Sequence, residues 1–176
     1  MRIALIGLLG LGLALSAPLQ DKAQDTGDTI AGGVSATSDM AGCVYQAEMQ
    51  GSPPSGCVGL IAEPCLEGAV STSDMVVCMA KETDFWDERL NLKYNELRDV
   101  YAQQDSDEPE GAIQLASVLK STQVKWIHWR DAKCMGFERN RYRGGSLGRV
   151  TGSDCLMEMT AERVFELEEL LAEARM

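Results

Sequence analysis

Over residues 71–104, "STSDMVVCMAKETDFWDERLNLKYNELRDVYAQQ", side chains of one kind recur every three or four positions. Val76, Met79, Thr83, Trp86, Leu90, Tyr94, Leu97 and Tyr101 thereby fall on one stripe of a long α-helix. Thr72 or Ser73 is a candidate N-cap. Trp86 and the two tyrosines are read as core, since burial on that stripe accounts for them without further chemistry. Few alternating β-branched runs exist anywhere in the chain, so the stripe has to be covered by other helices.

Two further amphipathic stretches follow. One runs from about Ala112 to Met135, with Leu115, Leu119, Thr122, Trp126 and Trp129 on its stripe and Val118 and Ile127 on the flanks. In the other, "SDCLMEMTAERVFELEELLAEARM", Leu156, Thr160, Arg163, Leu167 and Leu170 share a face opposite Glu158, Glu162, Glu166 and Glu169. The acidic "DSDEPEG" at 105–111 reads as a solvated connection. Its Gly falls one position late for a calcium loop, and no Glu stands at the twelfth position. Upstream, "AGCVYQAEM" and "GCVGLIAEPCLEG" read as short helical pieces, with Gly and Pro marking turns near residues 51–56 and 67–71. The expected fold is all-α: a small disulfide-stapled bundle of three main helices plus a short N-terminal helical pair.

The first 17 residues, "MRIALIGLLGLGLALSA", carry one Arg, an apolar run and two small residues, the pattern of a cleaved signal peptide. The run is too short to span a bilayer, so no membrane insertion is expected once it is removed. Residues 18–41 are poor in large apolar side chains and read as a flexible leader, leaving one folded domain over 42–176. Export, periplasmic or secreted, suits the even count of six cysteines, which argues for three disulfides. Cys65 and Cys78 lie almost symmetrically about the second turn. Pairing them leaves Cys43 for Cys57, although the other pairings of these four remain open. Cys134 and Cys155 would form the third bridge. Loops of this length stabilise by about 3 kcal/mol each. No C-x-x-C or H-x(3–5)-H spacing supports zinc, and no cofactor is expected.

The formal charge is −11, one unit more negative without Arg2. Such a chain repels nucleic acid and attracts cationic partners. "WIHWRDAKC", 126–134, concentrates two tryptophans, the only histidine, an Arg-Asp pair and a cysteine. On a helix His128 points away from Trp126, and no nucleophile stands ready for it, so no catalytic residue is assigned. Arg130 and Arg163 fall inside apolar stripes and need partners, because an unpaired buried cation costs several kcal/mol. Asp87 is the candidate for Arg130. Between Cys134 and Cys155, "MGFERNRYRGGSLGRVTGSD" reads as a loop closed by a disulfide. It carries Arg139, Arg141, Arg143 and Arg149, with Ser146 beside a Gly-Gly hinge. These residues are the candidate partner-binding set, suited to carboxylates of a protein partner. The competing reading pairs the arginines with the chain's own acidic helices.

Taken together, "FWDERLNLKY" after Cys78, "Q-x2-WIHWRDAKC" at 123–134, "GGS" at 144–146 and "C-x4-TAER" at 155–163 resemble the lysozyme-inhibitor LprI-like N-terminal domain family, over about residues 74–171. The resemblance implies a small exported helical domain and, for the namesake, binding and inhibition of lysozyme. Asp87, Leu90, Asn91 and Tyr94 match the first signature. Gln123, Trp126, Arg130, Asp131 and Cys134 match the second, and Gly145, Ser146, Cys155, Thr160 and Arg163 the last. Most of these lie on the helical stripes, so Asp87, Asn91, Gln123, Arg130, Thr160 and Arg163 are read as structural polar residues. The leading functional reading is a binding module that inhibits a cationic, lysozyme-type muramidase. An envelope interaction protein with a different partner is the alternative, and a hydrolase using paired carboxylates the outside one.

Overall fold

The computed structural model describes the backbone from Ala31 onward and side chains from residue 36. The expected signal peptide and residues 18–30 of the expected leader lie outside the described residues. The long periodic stretch forms helix α3, Thr72–Ser106, about 50 Å at 1.5 Å per residue. Its N-cap is Ser71 rather than Thr72 or Ser73. The Ser71 hydroxyl accepts from the Asp74 amide at 3.2 Å, and the Asp74 carboxylate accepts from the Ser71 amide at 2.9 Å. This reciprocal pairing satisfies two of the amide donors that a helix start leaves free.

Helix α5, Ser146–Ala174, packs along α3 in the most extensive contact of the described residues. Met157, Ala161, Val164, Leu167 and Leu171 of α5 meet Trp86, Leu90 and Leu97 of α3 in one core. Trp86 is fully buried and meets the rings of Phe85 and Phe165 edge-on, with centroids 5.2 and 5.6 Å away. Polar residues on the exposed side of α5 include Glu158, Glu162, Glu166 and Glu169, the acidic face that the spacing marked.

Helix α4, Leu115–Asp131, starts three residues later than expected. Its opening amides are held from outside: the Asp105 carboxylate, at the end of α3, accepts from Leu115 and Ala116 at 2.7 and 2.9 Å. The "DSDEPEG" segment thus contributes a helix cap as well as a connection. The α4 stripe is narrower than its sequence suggested. Leu119 and Gln123 are buried and Trp126 half-buried, whereas Thr122 is exposed and Trp129 is 60% exposed. The i, i+4, i+7, i+11 line Leu119, Gln123, Trp126, Arg130 is the one facing α3 and α5, and Trp129 lies beyond its edge.

Upstream stand α1, Ala31–Met49, a short 3₁₀ turn at Pro54–Cys57, and α2, Ala62–Glu67. Helix α1 corrects the expected leader boundary, since it starts ten residues before Ala41. Met40, inside the segment read as flexible, is fully buried with Val44, and burial of these two side chains supports an otherwise polar helix. Disulfides join Cys43 to Cys57, Cys65 to Cys78 and Cys134 to Cys155, with Cα separations of 5.9, 5.5 and 5.4 Å.

Two polar arrangements fasten this N-terminal part. Glu82 on α3 is fully buried. It accepts from the amides of Gly59, Ile61 and Ala62 at 2.6, 3.0 and 2.8 Å and from the Trp86 indole at 3.0 Å. On the other side Arg89 contacts both Glu48 of α1 and Glu168 of α5, and Lys93 reaches Glu48 at 3.0 Å. Burial pushes the Glu168 carboxyl above its ordinary value despite the pull of Arg89 and Lys93. For the more exposed Glu48, burial acts in the same direction, but Lys93 and Arg89 outweigh it and lower the carboxyl.

Candidate functional site: a stapled basic hairpin

The segment expected to be a loop between Cys134 and Cys155 is mostly helical. Helix α4 continues through a run of wide π-type turns, Ala132–Glu138. The chain then reverses over residues 141–145 and enters α5 at Ser146. Consecutive positive φ angles at Arg143 and Gly144, 54° and 75°, make the reversal; glycine adopts that region freely, arginine only at a cost. The disulfide therefore staples two helices near their ends instead of closing a free excursion.

Close backbone approach sets the hairpin's geometry. A Cβ on Gly148 would lie 2.1 Å from the Arg139 carbonyl oxygen, and one on Gly152 would lie 3.1 Å from the Cys134 carbonyl oxygen. Two glycines one turn apart on α5 thus let the end of α4 rest directly on it. Cys134, Cys155 and Met159 form a small separate core there. The Asn140 amide donates to the Gly136 carbonyl at 2.6 Å, and the Thr151 hydroxyl to that of Glu138 at 3.3 Å, occupying carbonyls at the helix end.

This frame presents Arg139, Arg141, Arg143, Ser146 and Arg149, all exposed. Arg141 pairs with Glu138 at 2.9 Å and lies 5.0 Å from the Tyr142 ring centroid, while Arg149 reaches the Thr72 hydroxyl at 3.5 Å. Among the described residues neither Arg139 nor Arg143 has an ion pair, and none of the four arginines pairs with the glutamates of α5. Phe137 and Leu147, 64% and 52% exposed, flank them. Sequence reasoning did not single out these two apolar residues. Their signal was an aromatic and a leucine placed on either side of an arginine run.

Behind the hairpin lies a polar seam. Arg163 donates to the Gln123 carbonyl oxygen at 3.0 Å and pairs with Glu166 at 2.7 Å. Arg130 pairs with Asp131 at 3.0 Å, lies 3.8 Å from Asp87 and donates to the Thr160 hydroxyl at 3.4 Å. Asp87 is thus one of its partners and the more distant one. Both guanidinium groups lie over the Trp126 ring, 5.2 and 5.7 Å from its centroid, an arrangement favoured by the ring quadrupole. Asn91 donates to the Asp87 carboxylate at 3.1 Å. The six residues read as structural polar groups are therefore brought together across α3, α4 and α5. His128 is exposed. Among the described residues no cluster of His, Cys, Asp and Glu could hold a metal ion.

A sequence model of the family described as "Lysozyme inhibitor LprI" matches residues 65–167. The chain belongs to the LprI lysozyme-inhibitor family. The match begins within α2, takes in α3 and α4, runs through about three quarters of α5, and contains both the seam and the hairpin. Helix α1 and the Cys43–Cys57 disulfide precede it. An uncharacterized protein of Rhizobium meliloti (strain 1021) is 37% identical over 119 residues, covering 64% of this chain and 82% of that protein. No solved structure matches. Among the described residues no helix is long and apolar enough to cross a membrane.

Proposed function

We propose that this protein is an exported inhibitor that binds a cationic, lysozyme-type muramidase through the basic hairpin. The family supports a lysozyme-inhibitor-like binding module. The observation that carries the mechanism is the concentration of exposed cations, Arg139, Arg141, Arg143 and Arg149, on a stapled tip of a chain with charge −11. Glycoside hydrolysis depends on a pair of carboxyl groups in a cleft. Guanidinium groups form bidentate bonds to carboxylates, so a tip led by Arg139 and Arg143, with Ser146 beside them, blocks those groups. Phe137 and Leu147 supply apolar contact around the charges. The acidic remainder of the molecule attracts a basic enzyme from a distance, and the staple limits the ordering cost on binding. Three disulfides suit the oxidising surroundings of an exported protein.

Equilibrium binding of the oxidised protein to a cationic lysozyme tests this reading. The Arg139→Ala, Arg141→Ala, Arg143→Ala triple variant is expected to bind at least about tenfold more weakly, a change of about 1.4 kcal/mol, with unchanged melting. Equal binding by the variant and the parent protein would remove the hairpin from the mechanism. A complex retrieved from envelope extract that contains no muramidase would favour a different envelope partner.

A further inference from the structure

Between α3 and α4 runs a groove of about 350 Å³, walled by Leu90 and Tyr94 on one side and by Lys120, Gln123, Val124 and Ile127 on the other. We propose that it binds the C-terminal end of a peptide, holding the chain's carboxylate with Gln123 and Lys120 and its last apolar side chain on Val124 and Ile127. The proposal is independent of muramidase binding by the hairpin.

Gln123 carries the argument. It is 6% exposed, and its Nε2 is buried with no hydrogen-bond partner. Arg163 fixes the orientation of the Gln123 amide. The guanidinium Nε–H donates to Gln123 Oε1 at 3.0 Å, and reversing the amide would set two donors against each other. The orphan atom is therefore the NH₂ group. A buried donor left unpaired costs about 1–3 kcal/mol, and a residue on the lining of a groove gives a ligand oxygen a route to remove that cost. Because Nε2 itself is out of solvent, the oxygen reaches it only as the exposed α4 side chains part.

The chemistry of the surroundings selects the ligand. Lys120 is exposed, stands one turn before Gln123 on the same face of α4, and has no ion pair among the described residues. Arg130, at the far end of the groove, is already committed to Asp131, Asp87 and Thr160; Asp87 lines that end as well, so an anion is directed to the Lys120 end. An uncommitted ammonium beside an uncommitted amide donor favours an anion over a neutral carbonyl. Val124 and Ile127, 47% and 38% exposed, offer apolar surface within the same groove. The volume lies at the small end of ligand sites, enough for a chain end but too small for a folded partner.

Calorimetric titration of the oxidised full chain with N-acetyl-Ala-Ala-Leu, as free acid and as C-terminal amide, tests the site. The free acid is expected to bind at least about tenfold more tightly than the amide. Gln123→Glu keeps an acceptor for Arg163 but puts a carboxylate where the ligand's should lie, and it is expected to abolish that preference. Lys120→Gln, at an exposed position that does not threaten the fold, should weaken the acid several-fold. The hairpin triple variant should bind the acid normally, so loss of lysozyme binding and loss of peptide binding are separately visible. Equal affinity for acid and amide would overturn the proposal, as would unchanged binding by Lys120→Gln. Absence of heat up to about 10 mM, or saturation by an N-acetylated chitooligosaccharide and not by the peptide acid, would do the same.

Discussion

Glu82→Gln is the substitution for which the structure gives the most definite magnitude. The Glu82 carboxylate serves four buried donors: Oε1 receives the Gly59 amide and the Trp86 indole, and Oε2 the amides of Ile61 and Ala62. Whichever way the glutamine amide turns, its oxygen serves one pair and its NH₂ confronts the other. Two buried donors are then left without an acceptor, at about 1–3 kcal/mol each, for a total of about 2–6 kcal/mol. Domains are commonly stable by only about 5–15 kcal/mol. The Cys65–Cys78 disulfide still tethers α2 to α3, so the loss reflects the hydrogen bonds and not detachment of the segment. Urea unfolding followed by helical circular dichroism is the assay. With a slope of about 1–3 kcal/mol per molar urea, the midpoint should fall by about 1 M or more at unchanged slope. Hydrogen exchange at Gly59, Ile61 and Ala62 should accelerate first. A stability change under about 0.5 kcal/mol, within the range of ordinary surface substitutions, would refute the view that this carboxylate organises the turn into α2.

Other outcomes follow from the same geometry. Gly148→Ala places a Cβ 2.1 Å from the Arg139 carbonyl, so it should lower the melting temperature and weaken lysozyme binding together; Gly152→Ala, with 3.1 Å available, should cost less. Burial pushes the Asp154 carboxyl above its ordinary value, and burial followed by repulsion from Asp154 and Glu162 does the same to Glu158. A carboxyl raised in the folded state contributes stability that is full below its unfolded pKa and lost as pH rises through the folded one. Asp154→Asn should therefore melt above the parent protein at pH 7, and the gap should close as the pH falls into the ordinary carboxylate range.

The helical architecture was legible because α3 and α5 repeat their apolar residues at the helical period over many turns. The three bridges in the structure join the pairs favoured from spacing, helped by the fact that each is local and closes a turn. Other features depended on contacts that no local pattern carries. Trp129 fits the α4 stripe by period, yet the line through Gln123 and Arg130 is the one that meets α5, because polar partners on that helix satisfy it. Residues 31–41 looked too polar to order, but Met40 and Val44 suffice once a core exists to receive them. The hairpin was read as a loop because glycine and arginine dominate it. Gly148 and Gly152 instead serve helix-to-helix contact, which composition cannot distinguish from flexibility. Glu82 was passed over as one acid among many, although it sits between Met79 and Trp86 on the apolar stripe. An ionisable residue in that position is the available signal that a buried acceptor is needed.

Lysis of bacterial cell walls by a cationic lysozyme, followed by turbidity with and without the purified oxidised protein, tests the central claim most directly. Inhibition is predicted to saturate near one equivalent, to weaken as salt is raised, and to be lost in the Arg139→Ala, Arg141→Ala, Arg143→Ala variant. Undiminished lysis at several-fold molar excess of the parent protein would contradict it.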